Sequence, residues 1–296
     1  MTVNKKEIIS NAYKVLVKTI GVKNVIRLKY LAKFGRILHL KNPKSLNEKL
    51  NWLKIYGNED FHTTCADKYA VRKYLSDQFG NEYLVPLVFW TRDVNDINPD
   101  KLPDYPCVIK NSTGCGDYQI IRDKTKVDYE ALREKAKWWL RENHYWRSQE
   151  WQYKNIEPRI MVEKLLLTSE GKLPNDYKLH FFNGRLELIY CSVDREGKNY
   201  RLIYNPKWEL QPFVWIDKRR INDDLSGPEI EPPRSLTKMI GIGTEVAKRF
   251  KYVRVDFYDV DGQLYYGEIT LHHGGGMDLF NPDKYDYIYG EKLNLN

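Results

Sequence analysis

Seven short runs rich in β-branched and aromatic residues, spread over the chain from Tyr83 onward, constrain the fold of this chain more than any other feature. They read YLVPLVFW from Tyr83, PCVIK from Pro106, RIMVEKLLL from Arg159, KLHFFNG from Lys178, LELIYCSVD from Leu186, YVRVDFYDV from Tyr252 and QLYYGEITL from Gln263. Gly, Asn, Asp and Pro bound them, so each reads as a strand. Asn183-Gly184 and Asp261-Gly262 mark two hairpins, because a two-residue turn needs φ > 0 at its centre. Helical patterns cover 128–142 and 235–250. Strands widely separated in sequence, with helices interposed, predict an α+β or α/β chain.

The N-terminal part has a different texture. Ile8, Ile9, Ala12, Val15, Leu16 and Ile20 recur at helical spacing, and Val25, Ile26, Leu28 and Leu31 follow after Gly21. Two helices are expected over 4–34. Lys14, Lys18, Lys23, Arg27, Lys29 and Lys33 form either the wet side of helices packed on the rest or a membrane-surface face. Asn42-Pro43-Lys44-Ser45 opens another helix, with Ser45 and Glu48 in capping-box spacing and Leu46, Leu50, Trp52 and Leu53 on the buried side. A further helix runs over 67–79 behind Asp67.

No apolar run approaches the roughly 20 residues that span a bilayer. The four cysteines, Cys65, Cys107, Cys115 and Cys191, form no C-x-x-C pair, which argues for a reduced, cytosolic protein without a metal knuckle. The net charge of +8 comes from basic residues that read as distributed along the chain, so it marks a solvated surface and implies no specific nucleic acid.

Two segments carry the chemistry. In PCVIKNSTGCGDYQII a strand ends at Lys110 and enters a loop containing Ser112, Thr113, Gly114 and Gly116. A lysine beside a glycine-rich turn can set an ammonium and backbone N–H groups around phosphates, although neither Walker nor Rossmann spacing is present. In YVRVDFYDVDGQLYYGEIT, Asp256 and Glu268 lie near matching positions on the strands flanking Asp261-Gly262. Two carboxylates on rigid strands suit Mg²⁺ bound together with nucleotide phosphates. Arg254, two residues before Asp256, shares its side and can hold a transferring phosphoryl group.

Behind the second strand, His272, His273 and the glycines Gly274 and Gly275 form a loop that could admit substrate, with a histidine as base, or could simply need glycine conformations. The aromatic segment KWWLRENHYWRSQEWQY (137–153) reads as core, with Trp146 and Trp151 its more exposed members. His39, His62, His144 and His180 show no ligand spacing.

These pieces together resemble the ATP-grasp superfamily, and their wording is closest to its TupA-like (teichuronopeptide biosynthesis) branch. NPKSLNEKLNWLKIYG, CADKYAVRKYL, VIKNSTGCG, EWQYKNIEPRIMVEKLL, LPNDYKLHFFNG and RVDFYDVDGQLYYGEITLHHGGG carry the likeness from about residue 40 to about residue 280. The resemblance implies an α+β ATP-grasp fold in which two subdomains clasp ATP. Its divisions would be a helical region 1–85, a lid 86–165 and a C-terminal subdomain 166–296 bearing the metal site.

It implies that Lys68 and Lys110 bind nucleotide phosphates under a loop closing from Asn111 to Gly116. Glu163 and the backbone of Lys164 and Leu165 would meet the ribose and adenine. Asp176 and Lys178 would face the site, Lys178 as a third cation. Arg254 corresponds to the phosphate-binding arginine, and Asp256 and Glu268 to the metal-bridging acids. Where the superfamily continues Glu-x-Asn, this chain has Thr270, a weaker ligand for one of the one or two Mg²⁺ ions.

The activity implied is an ADP-forming carboxylate–amine ligase working through an acyl phosphate. Its expected substrates are a carboxylate-bearing sugar of a cell-surface polysaccharide or precursor and an amine such as an amino acid. The expected setting is the cytoplasm or the inner face of the membrane. A glycosyltransferase using a nucleotide sugar is the alternative, though it gives no role to the two lysines and the lid glutamate.

Overall fold

The structure is a computed structural model that describes residues 3–114, 116–221 and 223–296. Five helices open the described chain: α1 (Val3–Ile20), α2 (Val22–Phe34), α3 (Leu46–Tyr56), α4 (Asp60–Ala66) and α5 (Ala70–Phe79). Then come β1 (Leu87–Thr91), β2 (Cys107–Asn111), β3 (Tyr118–Ile121), α6 (Tyr129–Arg141), α7 (His144–Ser148) and β4 (Ile160–Lys164). Strands β5 (Asp176–Phe182), β6 (Arg185–Val193), β7 (Tyr200–Tyr204) and β8 (Val214–Ile216) precede α8 (Leu236–Ala247). The chain finishes with β9 (Tyr252–Val260), β10 (Gln263–Thr270), β11 (Leu279–Asn281) and α9 (Lys284–Lys292).

Two compact units interleave along the sequence. The first takes Met1–Gly21 and Glu59–Leu166, the second Val22–Asn58 and Leu167–Asn296. In the first, an antiparallel sheet ordered β1-β4-β2-β3 carries α6. Asp128 caps α6 by accepting from the Ala131 N–H. The helix sets Leu132, Ala136 and Trp139 against Ile109, Ile121, Ile160 and Val162 of the strands. Trp138, Trp139 and Tyr145 of the aromatic segment are buried, while Trp146 and Trp151 are half-buried.

In the second unit an antiparallel sheet is ordered β10-β9-β5-β6-β7. Asn183 and Gly184, and again Asp261 and Gly262, have positive φ, as the two hairpin turns require. One face of the sheet lies against α8, where Phe181 crowds Gly243 so closely that an added Cβ would sit 2.5 Å from the ring. The other face changes character along β5. Phe182 joins Leu46, Leu50, Trp215, Tyr252 and Phe280 in the core beneath α3 and α9, while Lys178 and Asp176, two and three turns of the pleat away, belong to a charged cluster. Helix α3 starts as expected: Ser45 and Glu48 complete a capping box.

Helix α1 does not pack its apolar stripe inward. Ile8 is 69% exposed, Val15 64% and Leu16 42%, and Ala12 and Ile20 are exposed as well. The half-buried side is instead Ile9, Ser10, Tyr13 and Val17. In α2, Val25, Ile26 and Tyr30 are buried but Leu28 and Leu31 are exposed.

Candidate active site

In the first unit, pleating puts Lys110 and Glu163 on one face of the β2–β4 ladder, where Lys110 is opposite Met161 and Val108 opposite Glu163. The Lys110 ammonium meets Glu163 Oε2 at 2.6 Å, and Arg72 reaches Oε1 at 3.3 Å. Glu163 is 3% exposed, and two cations offset its burial. Arg72 comes from the first turn of α5, a contact that no spacing in the sequence announces.

The loop after β2 is built on its own hydrogen bonds. Ser112 donates its N–H to the Arg159 carbonyl (2.9 Å), and its hydroxyl accepts from the Arg159 N–H (2.9 Å). Thr113 donates its N–H to Asn111 Oδ1. Gly114 and Gly116 have φ of +71° and +76°, and Cys115 between them lies outside the described residues. Gly114 abuts the His144 ring, where a Cβ would stand 2.8 Å from Nδ1. Lys68 donates its ammonium to the Gly114 carbonyl and its backbone N–H to Ser112. Burial lowers His144 to about 4, so it packs against the loop as a neutral imidazole, with Arg147 at its Nδ1.

Asp67 accepts from the Tyr69 and Ala70 N–H groups in the turn that leads into α5, and Arg159 bridges it to the loop strand. Lys164 and Leu165 already donate their backbone N–H groups, to the Pro86 and Pro106 carbonyls.

In the second unit the register places Lys178 opposite Asp256 and His180 opposite Arg254, so Asp176, Lys178, His180, Arg254 and Asp256 share a face. Glu268 arrives there by an irregularity. Counting back from the Asp261-Gly262 turn, Val260 pairs with Gln263 and Tyr266 with Phe257, so an unbroken ladder would put Glu268 opposite Val255, on the other face. Instead Ile269 pairs with Val255, and Gly267 and Glu268 together oppose Asp256. This β-bulge turns Glu268 and Thr270 onto the face of Asp256. Gly267 fits because a Cβ there would stand 3.0 Å from the Asp256 carbonyl oxygen.

The resulting cluster is tight. Arg254 forks onto Asp256 through Nε (2.6 Å) and Nη2 (2.7 Å), and Nη2 also reaches Glu268 Oε1 at 2.6 Å. Lys178 meets Asp256 at 3.0 Å and pairs with Asp176. Thr270 donates its hydroxyl to Glu268 (3.0 Å), so the residue standing where the superfamily carries asparagine holds a carboxylate. Burial raises the Asp256 pKa, against the pull of Arg254 and Lys178. Burial opposes the charge of Arg254 and of Lys178, but neighbouring carboxylates outweigh it and raise both.

Below this cluster lies a support. His273 accepts the Arg254 Nη1–H at Nδ1 (2.9 Å), packs 4.1 Å from the Trp215 ring centre and turns Nε2 toward Asp278 at 3.6 Å. Burial, then His180 and Arg254, hold its pKa well below the usual value, so it is a neutral acceptor. His180, unremarkable in the sequence, is fully buried beside it, with Nδ1 3.0 Å from the Tyr252 hydroxyl. Gly274, Gly275 and Gly276 all have positive φ. Helix α3 holds their loop: Lys54 donates to the Gly275 carbonyl (2.6 Å) and Asn51 to the Gly276 carbonyl (2.7 Å). His272 is buried.

The cluster fits a hard cation. Three carboxylates, Asp176, Asp256 and Glu268, face two cations, and the buried Asp176 Oδ1 has no hydrogen-bond partner. Among the described residues no three His, Cys, Asp or Glu side chains gather closely enough to cage a metal alone. Mg²⁺ characteristically takes one or two carboxylates and completes its shell with phosphates and water. Cys65, Cys107 and Cys191 are buried free thiols.

A family model described as TupA-like ATPgrasp matches residues 48–294. No curated protein matches the sequence. Among solved structures, a D-alanine–D-alanine ligase from Bacillus anthracis is similar at 18% identity and TM-score 0.45, over 78% of this chain and 64% of that one. An N5-carboxyaminoimidazole ribonucleotide synthetase is similar at 12% identity and TM-score 0.41, over 76% and 51%. The ATP-grasp ligase PsnB, complexed with a precursor peptide and AMPPNP, is similar at 14% and 0.39, over 77% and 57%. The chain thus spans between half and two thirds of the length of these three.

Proposed function

The chain belongs to the TupA-like ATP-grasp family, and from that premise we propose that it is an ATP-dependent, ADP-forming ligase joining a carboxylate to an amine. The observation that carries this reading is the bulge-built cluster of Asp176, Lys178, Arg254, Asp256 and Glu268 on one sheet face. Two cations and three acids held rigidly within hydrogen-bond reach suit phosphoryl transfer, where catalysis is mainly positioning and charge neutralisation.

In this reading Lys68, Lys110 and the loop from Ser112 to Gly116 bind the nucleotide phosphates. Glu163 serves the ribose end, and the 164–165 segment the adenine. Asp256 and Glu268 would hold Mg²⁺, which would supply positive charge to neutralise the phosphates. A carboxylate oxygen attacks the γ-phosphorus and ADP leaves. Arg254 and Lys178 stabilise the charge on the transferring group and then on the acyl phosphate. An amine next attacks the acyl carbon, an amide bond forms and phosphate departs. His273 holds Arg254 in place, and Gly274 and Gly275 leave room for the acceptor.

The family's link to teichuronopeptide synthesis supports a uronic-acid carboxylate of a surface polysaccharide or its precursor as substrate, with an amino acid or related amine as partner. The need for ATP supports a setting in the cytoplasm or at the inner face of the membrane. Incubation with Mg-ATP, uronates and amines should release ADP and phosphate only when both acceptors are present. AMP and pyrophosphate as products would refute the acyl-phosphate route, and UDP released from a UDP-sugar would favour a glycosyltransferase.

A further inference from the structure

The positive charge of the protein is not spread along the chain. Residues 1–47 hold eleven Lys and Arg against one acid, Glu7, whereas the whole chain holds 48 against 40, so residues 48–296 carry 37 against 39. All the net positive charge therefore lies ahead of the family-matched region, which begins at residue 48. From Ile8 to Asn47 there is no acidic residue at all.

Aliphatic side chains accompany this charge on the surface. On α1, Ile8, Ala12, Val15, Leu16 and Ile20 form one exposed stripe, and Lys14 and Lys18 are exposed beside it. The opposite side is the one that packs, next to α7, and Lys14 leans over the Trp146 ring at 5.6 Å. On α2, considered by itself, Arg27, Leu28 and Leu31 are exposed. Some of the segment's cations have acidic partners: Lys33 pairs with Asp217, and Arg36 with Asp283 and Asp286. Lys14, Lys18, Arg27, Lys41 and Lys44 remain exposed.

We propose that α1 docks on an anionic lipid surface, its aliphatic stripe entering the headgroup–acyl boundary while Lys14 and Lys18 beside it meet lipid phosphates. An exposed apolar helix face flanked by cations is the form of interfacial helices, and a polybasic neighbourhood supplies the second of the two signals that stable attachment needs. A second copy of the chain fits poorly, because it would bring two acid-free basic segments together. Nucleic acid would use the cations but leave the aliphatic stripe without a role, and no aromatic residue stands in that stripe for bases to stack on.

The test is co-sedimentation of the full-length protein with vesicles of phosphatidylcholine alone or mixed with phosphatidylglycerol. Wild type should sediment with the anionic vesicles and stay in solution with the neutral ones. The double variant Val15→Asp/Leu16→Asp should lose about tenfold or more of that binding, and Lys18→Glu should weaken it and reduce its salt dependence. Both positions of the double variant are exposed, so an unchanged melting temperature will show that the fold is intact. No sedimentation with anionic vesicles, or equal sedimentation of wild type and double variant, would overturn the proposal. So would a concentration-dependent dimer in light scattering that Val15→Asp/Leu16→Asp dissolves.

Discussion

Asp256 and Glu268 are the proposed metal ligands, yet the structure gives them very different shares in holding the fold, and that difference can be measured. Asp256 is 2% exposed and is the counter-ion of two cations, taking two contacts from Arg254 and one from Lys178. Asp256→Asn keeps the shape and removes the charge, leaving Arg254 with Glu268 and Lys178 with Asp176. Breaking a buried pair typically costs 3–5 kcal/mol, and the surviving partners put this case at the low end, about 3 kcal/mol. For a unit of this size that is a fall of about 6–12 °C in melting temperature.

The Glu268 side chain is 30% exposed and makes one contact with Arg254, while Thr270 donates to the same oxygen. A glutamine can still accept there, so Glu268→Gln should cost less than about 1 kcal/mol. Both variants should nevertheless lose activity by about a hundred- to a thousand-fold, and both should lose the rise in melting temperature that Mg-ADP gives wild type. Thermal melts with and without Mg-ADP, beside ADP release, read all of this. If Glu268→Gln melts as early as Asp256→Asn, or if Asp256→Asn melts with wild type, the description of the cluster as an asymmetric pair is wrong.

Three further outcomes follow from single contacts. His273→Ala removes the acceptor for the Arg254 Nη1–H, a hydrogen bond from a charged group worth about 1.5–3 kcal/mol. The turnover number should fall about ten- to a hundred-fold with little change in the KM for ATP, and a fall in nucleotide affinity instead would contradict the positioning role. Gly114→Ala would force a Cβ to 2.8 Å from the His144 ring at φ +71°, so calorimetry should show nucleotide binding weakened by about tenfold or more while the second unit melts as before. Burial raises Asp278 from 3.8 to about 6, so the folded protein binds that proton more tightly than the unfolded chain does. Stability from this group is present below pH 3.8 and is lost as pH rises through about 6. Across that window wild type should lose up to about 3 kcal/mol relative to Asp278→Asn, and parallel stability curves for the two proteins would refute the assignment.

What could be read from the sequence was local chemistry that no distant contact can overrule. Asn-Gly and Asp-Gly supply the positive φ that a tight hairpin needs, and Ser45 with Glu48 satisfies the orphan amides of α3, so both hairpins and the capping box occur where expected. Lys178 facing Asp256 depends on a pairing between strands almost eighty residues apart, which no local pattern sets. His144 beneath Gly114 and His273 beneath Arg254 are contacts made by packing, and neither histidine has a spacing that announces it. Charge was legible but was read over the whole chain, and averaging concealed that it resides in the first 47 residues.

The bulge at Gly267 bears most directly on function. Pairing Asp256 with Glu268 was the right conclusion from an arithmetic that, carried through strictly, denies it, because regular pairing puts Glu268 on the face of Val255 and Phe257. With Gly267 in the strand, only the bulge brings the two carboxylates together, and glycine suits the bulge because a Cβ there would crowd the Asp256 carbonyl at 3.0 Å. Gly267 is therefore as much a part of the candidate metal site as the acids it aligns. A regular ladder that ran through Gly267 without the bulge would keep every acid in the sequence and lose the site.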